Sequence, residues 1–340
     1  MKILFFPIAG REGASSRYRV YQYVPFLQQA GFQVQILPPL PRTGRGIRRW
    51  VQASLEHHAV IRQARNADLL FIQKRLFAPP TIRKMARLGK KIVFDLDDAI
   101  FTSPAGNWSL VTRRRVHSRL KAVMREADLV LCGNRYLKKF SSEWGASRTE
   151  ILPTAIDTSS YSPRQVPRCG EPVLGWIGSS VNHRYLDLLS SVLPTLSREF
   201  QGLRLLVVSD GRYTMEGVHV ENRPWSQKTE VRDILDMDVG LMPLTDNEWT
   251  RGKCALKALQ YMAAGIPAVC SPVGANSEVV EDGKEGFLPQ SDAEWLDSIR
   301  LLLNSHALRE KMGKAGRAKV DAAFSLHVIA KRKIDLLRSV

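Results

Sequence analysis

Short apolar runs alternate with helical stretches along the whole chain, and that alternation restricts the fold more than any other feature. "KILFFPIA", "FQVQILP", "ADLLFIQ", "KIVFDLD", "ADLVLCGN" and "TEILPTAID" recur through the first half, with helical periodicity over residues 16–29, 46–66 and 110–126 between them. A second series, "PVLGWIGS", "LRLLVVSDG", "VHVENRPW", "DVGLMPL", "PAVCSPVG" and "GFLP", follows residues 158–172, which are rich in Pro, Ser and Gly and have no period. Short apolar strands spaced by helices form parallel sheets covered on both sides. The expected fold is α/β, with two doubly wound Rossmann-like domains facing across a cleft. Residues 1–160 form the first, 161–171 a linker and 172–320 the second. Residues 321–340 form an amphipathic basic helix packing back toward the first domain. Ligands of such sheets bind beyond the C-terminal strand ends, so the chemistry is sought there.

Composition narrows the classes. A chain of 340 residues can fill two cores. No apolar run approaches the ~18–20 residues of a membrane span. "MKILFFPIAG" is too short for a signal h-region and has no small-residue cleavage pattern after it. Cys132, Cys169, Cys254 and Cys270 are scattered with no C-x-x-C pair, so neither zinc nor a disulfide framework is expected. The expected location is cytoplasmic, peripheral at the inner membrane face. Of the net charge of +17, residues 1–160 carry +16, from 27 Lys and Arg against 11 Asp and Glu. Such asymmetry points to an anionic partner: lipid, nucleic acid or an acidic substrate. A merely solvated surface is the plainer alternative, but "RTGRGIRRW" and "TRRRVHSR" concentrate the charge. These clusters lack interleaved aromatics and no recognised module is present, which argues against nucleic acid.

Several strand ends carry candidate chemistry. After the first strand, "GREGASSRYRV" supplies Gly10, Gly13, Ser15, Ser16 and Arg17, which bring backbone and hydroxyls close to a ligand. The pattern is neither G-x-G-x-x-G nor a Walker A loop. "FDLDDAI" places Asp97 and Asp98 just past a strand. An isolated Asp-Asp is a weak metal signal, so the reading is hydroxyl binding with no metal. His57 and His58 lack an H-E-x-x-H context and read as surface residues.

In the second half, Gly178, Ser179 and Ser180 form a small-residue turn, with Asn182 as N-cap and Arg184 in the first helical turn. That is either an anion site or an ordinary tight turn. Asp210 ends the next strand, and Asp-Gly there reads more readily as a turn than as a ligand. "KCALKALQYMAAGIPAVCS" (253–271) reads as a buried helix running into a buried strand, yet Lys253, Lys257 and Gln260 form a polar stripe and Arg251 precedes them. Cations at a helix N-terminus oppose the macrodipole and repel each other. A bound diphosphate would reverse that penalty.

The stretch from Asp238 to Pro289, including "GKCALKALQYMAAGIPAVCSPVGANSEVVEDGKEGFLP", resembles the donor-binding half of family-4 glycosyltransferases, which have the GT-B fold. "SSRYRVYQYVPFLQQAGFQV", "FDLDDAIF", "LPTAIDTSSYSP" and "GWIGSSVNHRYL" sit where that family has similar segments. The resemblance implies a nucleotide-diphosphate sugar held mainly by the second domain, at Gly178, Ser179, Ser180, Arg184, Asp210, Arg251, Lys253, Lys257 and Gln260. It implies a polysaccharide, lipid-linked or other hydroxyl acceptor held mainly by the first, at Gly13, Ser15, Ser16 and Arg17, with Asp97 and Asp98 as catalytic candidates. Transfer would retain the anomeric configuration, with no obligatory metal or cofactor. Of the family's two glutamates on this helix, the second falls at Gln260 and the first at Gly252. Its loop lysine matches Arg184, the preceding arginine falls at Ser179, and a strand-end histidine corresponds to Asp97. The alternatives are a sugar-nucleotide epimerase on the same fold, or a non-catalytic protein that binds nucleotide sugars or nucleic acid.

Overall fold

Every apolar run of the sequence contributes a strand, and the strands sort into two sheets. The computed structural model describes residues 1–39, 47–104, 106–164 and 170–340, with backbone alone for 47–54. The arginine-rich "RTGRGIRRW" cluster and Cys169 therefore lie outside what is described. In the N-terminal sheet, β1 (Lys2–Phe6), β2 (Gln33–Ile36), β3 (Leu69–Gln73), β4 (Lys91–Leu96), β5 (Leu129–Cys132) and β6 (Thr149–Ile151) run in the order β2-β1-β3-β4-β5-β6. In the C-terminal sheet, β7 (Val173–Ile177), β8 (Arg204–Ser209), β9 (His219–Pro224), β10 (Val239–Met242), β11 (Ala268–Cys270) and β12 (Gly286–Phe287) run in the order β12-β11-β10-β7-β8-β9. All pairings between these strands are parallel.

The chain divides into two compact units, Met1–Thr154 with Ile329–Val340, and Ala155–Val328. Central strands β3, β5, β7 and β10 are buried at every residue. Each fully buried Leu, Ile, Val or Phe contributes about 1.5–3 kcal/mol, so these runs stabilise the sheets with little help from alternation. Edge strands β2 and β9 are half-buried, and β9 protects its edge with Glu221 and Arg223 paired at 2.7 Å. Among the described residues no helix is long and apolar enough to cross a membrane.

Each sheet reverses direction once, between β1 and β3 and between β7 and β10. Beyond Gly175 and Gly240 the β7–β10 ladder stops. Tyr261 fills the opening: its hydroxyl accepts from Ile177 N–H at 3.2 Å and donates to Leu241 C=O at 3.2 Å. A Cβ at Gly240 would lie 2.3 Å from the Tyr261 ring, so glycine is required there. The tyrosine thus pins helix Leu256–Ala263 against the strand ends.

Two local expectations are corrected. Residues 16–29 form three pieces, not one helix: Ala14–Arg19, a 3-10 turn at Tyr21–Tyr23, and Val24–Gln29 started by Pro25. Lys253 lies outside the helix it was expected to open. A short helix, Glu248–Arg251, is opened by an Asn247–Thr250 capping box, and Ala255 takes a left-handed φ of 52° before Leu256 begins the next helix.

Candidate functional site

At the C-terminal edge of the first sheet the predicted residues share one hydrogen-bond network. Gln73, the last residue of β3, is its hub. Its Oε1 accepts from Ile8 N–H at 3.0 Å and Ser16 Oγ at 2.9 Å. Its Nε2 donates to Ser15 Oγ at 2.7 Å and Asp97 Oδ1 at 3.4 Å. Ser15 Oγ in turn donates to Asp97 Oδ2 at 2.7 Å. Lys74, in the left-handed region at φ 53°, points its ammonium between Asp97 (3.4 Å) and Asp98 (3.0 Å). Burial alone would push the Asp97 carboxyl up, but Lys74 and then Arg19 outweigh it and hold the carboxyl below its ordinary range. Burial would likewise lower Lys74, yet the two aspartates raise it.

Beneath this lies a buried ion pair. Arg19 reaches Asp95 with Nε at 2.9 Å and a terminal nitrogen at 2.5 Å, and donates to the Leu152 and Pro153 carbonyls. Lys333, from the last helix (Leu326–Arg338), donates to Arg19 C=O at 2.6 Å, with the rings of Tyr23 and Phe71 4.1 and 4.4 Å away. Burial pushes its ammonium down to about 7.

Asp97 and Asp98 are therefore brought together with Ser15, while Ser16 is not available to a ligand. Ser16 is fully buried and its hydroxyl, which also accepts from Ala9 N–H, holds the loop. Gly13 caps helix Ala14–Arg19 where a Cβ would lie 2.6 Å from Ala9 Cβ. Arg17 stacks on Tyr18 at 4.7 Å. Gln73, Lys74 and Arg19 were missed by sequence reasoning. The first two end a strand that was recognised, so the strand-end rule applied to Asp97 would have found them.

The C-terminal edge of the second sheet is built differently. Arg184 lies over the Tyr185 ring (5.0 Å) and donates to its hydroxyl at 3.2 Å. Lys253 is 5.5 Å from the Trp249 ring and 6.0 Å from that of Tyr185. Lys257 is 5.0 Å from the Trp176 ring, and its Cε would be 2.8 Å from a Cβ on Gly178. Close approach of the lysine is thus what Gly178 allows. The Trp249 indole N–H is buried with no acceptor among the described residues.

Other candidates take different places. Ser180–Leu189 is a 3-10 helix whose N-cap position is Ser179, so Asn182 does not cap it. Asp210 Oδ1 accepts the Ser180 N–H at 2.6 Å and Ser179 Oγ is 3.4 Å from Oδ2. That backbone bond keeps the Asp210 carboxyl below its ordinary range. The Ser180 amide expected to meet an anion is thus held by a carboxylate of the same edge. Arg251 is bidentate to Asp246 at 2.5 and 2.9 Å. Gln260 is buried and donates to Tyr161 Oη at 3.3 Å, which makes it a packing contact. Among the described residues no group of three or more His, Cys, Asp or Glu could hold a metal ion.

Residues 171–305 match the model of a family described as glycosyl transferases group 1. Over those residues the chain is similar to group 1 glycosyltransferases. Its fold is GT-B. The chain is 25% identical over 261 residues to the GDP-mannose-dependent monoacylated alpha-(1-6)-phosphatidylinositol monomannoside mannosyltransferase of Corynebacterium glutamicum, covering 68% of this chain and 67% of that one. Its structure resembles sucrose-phosphate synthase from Thermosynechococcus elongatus, with a TM-score of 0.78, 15% identity, and 100% and 98% of the two chains covered. It also resembles Anabaena HepE in complex with UDP and glucose, with a TM-score of 0.70, 16% identity and both chains covered fully.

Proposed function

We propose that the protein is a glycosyltransferase that moves a sugar from a nucleotide-diphosphate sugar to a hydroxyl of a glycan or lipid-linked acceptor. Transfer retains configuration, in the manner of family 4, and needs no obligatory metal. The observation that carries this reading is the set of three cations, Arg184, Lys253 and Lys257, seated on aromatic faces at the second sheet's C-terminal edge. The relatives add support: one is named as GDP-mannose-dependent and one structure holds UDP.

Breaking a sugar–phosphate bond builds negative charge on the leaving diphosphate. Cations already held in place stabilise that charge without reorganising at the moment of reaction. The Trp249 N–H offers one more donor. On the first unit, Lys74 keeps Asp97 ionised and pairs with Asp98, and carboxylates accept hydrogen bonds from sugar or acceptor hydroxyls. An acceptor that attacks from the leaving-group side needs no separate protein nucleophile. The reaction is placed at the cytoplasmic face of a membrane.

Calorimetry tests the carrying observation. Lys253→Ala and Arg184→Ala should each weaken nucleoside-diphosphate binding by about 1.5–3 kcal/mol, the range for hydrogen bonds to charged groups. UDP- and GDP-sugars should be titrated in parallel, since the base is open. Unchanged affinity in both variants would end the assignment. Turnover abolished by a chelator and restored by a divalent ion would overturn its metal-free part.

A further inference from the structure

The last helix carries a lysine where its own pattern calls for an apolar side chain. Leu326, Ile329, Ala330 and Leu337 form the buried stripe of Leu326–Arg338 at helical spacing. Lys333 stands in the middle of that stripe and is fully buried. Lysine is almost never fully buried without a partner of opposite charge. Here the amine donates to Arg19 C=O and otherwise faces rings: Tyr23 at 4.1 Å, Phe71 at 4.4 Å and Phe5 at 5.9 Å. Among the described residues it has no ion pair, because the carboxylates whose charge reaches it, Asp95 and Asp97, are held by Arg19 and Lys74.

The surroundings set the proton on this amine. Asp95 on β4 and Asp97 just past it favour the charged form, while Arg19 opposes it. Tyr23, Phe71 and Phe5 offer only ring faces. Burial outweighs the two aspartates and pushes the amine down to about 7. In water a lysine keeps its proton up to about pH 10. The hold of the helix is also short. Of Ile329–Val340, the segment that belongs to the first unit, only Ile329, Ala330 and Leu337 are buried apolar side chains.

We propose that Lys333 makes the last helix a proton-linked strap on the first unit, and that the docked strap holds Arg19 in place beneath the Asp97 edge. The link runs through named atoms. Lys333 meets the Arg19 carbonyl, and the Arg19 side chain forks onto Asp95 and reaches the Leu152 and Pro153 carbonyls. When the helix is docked with a neutral amine, no unpaired charge is buried. When it is released, the amine enters water and takes up a proton, and Arg19 C=O loses its donor. The docked amine ionises below the released one, so docking tightens as pH rises from about 7 toward about 10 and is constant below about 7. The proposal does not rest on the transfer reading, because neither donor nor turnover enters its test.

Hydrogen exchange of the full chain between about pH 6 and about pH 9 supplies that test, each rate being divided by the intrinsic rate of its amide. In wild type, the last helix and Ala14–Arg19 should open more readily than β3. Their opening constants should be level up to about pH 7 and then fall about tenfold per unit, the slope of one proton taken up on release. Lys333→Met keeps the apolar stripe, and Lys333→Gln keeps a donor for the Arg19 carbonyl. Both should abolish the slope in the two segments. Other titrating groups are common to all three proteins, so the difference isolates Lys333. Circular dichroism checks the fold, and either variant alone decides the point if the other does not fold. An unchanged slope in the folded variants overturns the proposal. So does a last helix that opens no more readily than β3, since it would then part only when the whole unit unfolds. A slope confined to the last helix, with none in Ala14–Arg19, overturns the hold on Arg19.

Discussion

The two sheet edges share a topology and differ in what faces their cations. At the first, Arg19 meets Asp95, and Lys74 meets Asp97 and the partly exposed Asp98. At the second, Arg184, Lys253 and Lys257 lie on Tyr185, Trp249 and Trp176. A buried charge that faces its counter-ion is part of the fold, and removing one partner strands the other. A cation on a ring gains only about 0.5–1 kcal/mol at an exposed site, far less than a buried ion pair stands to lose. The first edge sets its cations against carboxylates, the second against rings.

The strongest way to break that contrast is to remove one cation from each edge and compare stability. Arg19→Met should cost about 3–5 kcal/mol in denaturant unfolding, since Asp95 and the Leu152 and Pro153 carbonyls lose their donor. The double variant Arg19→Met with Asp95→Leu should recover much of the loss. Lys253→Ala should stay within about 1 kcal/mol of wild type. Similar losses in the two single variants would erase the difference between the edges.

A smaller effect is expected in turnover. Asp97→Asn and Asp98→Asn should leave nucleotide affinity unchanged and reduce the rate by about 10- to 150-fold, equivalent to about 1.5–3 kcal/mol for a charged hydrogen bond. The pH dependence of stability has a definite sign. The Asp97 carboxyl is held below its unfolded value, so its contribution is complete above the unfolded pKa and is lost as pH falls through the lower folded value. The stability difference between wild type and Asp97→Asn should therefore shrink as pH falls below about 4. A difference that instead grows as pH falls through that range would mean that Lys74 does not control this carboxylate.

Much of the fold was legible because parallel strands buried on both faces leave unbroken apolar runs such as "ADLLFIQ" and "ADLVLCGN". The break before Leu256 was not legible. Ala255 adopts a left-handed conformation there, and only a glycine or asparagine would have announced it. Asp97 and Asp98 were singled out because they follow a strand, and Ser15 because it lies in the segment after β1. Their support was hidden for another reason. The Arg19–Asp95 and Lys333–Arg19 contacts join residues 76 and 314 positions apart, and no local pattern reports such a pairing. The burial of Ser16 and Gln260 was not legible either, since spacing gives a residue's position but not its burial.

The smallest predicted effect sharpens the comparison inside the second edge. Arg251 was expected among the donor-binding cations, yet it forks onto Asp246, with both side chains about half exposed. Hydrogen bonding to Arg251 is what lowers the Asp246 carboxyl. A cation already bidentate to a carboxylate must give up that pair before it can serve a phosphate, whereas Lys253 also lies near the rings of Trp249 and Tyr185. An exposed pair of this kind is worth about 0–1 kcal/mol. Arg251→Ala should therefore change stability by less than about 1 kcal/mol, and should weaken nucleoside-diphosphate binding by less than Lys253→Ala does. Asp246→Asn provides the complementary reading: with its partner neutral, Arg251 becomes available, and nucleotide affinity should hold or rise slightly. Calorimetry on the three variants decides the point. If Arg251→Ala loses as much affinity as Lys253→Ala, the carboxylate partner does not withhold its cation. What a cation faces would then no longer tell the two edges apart.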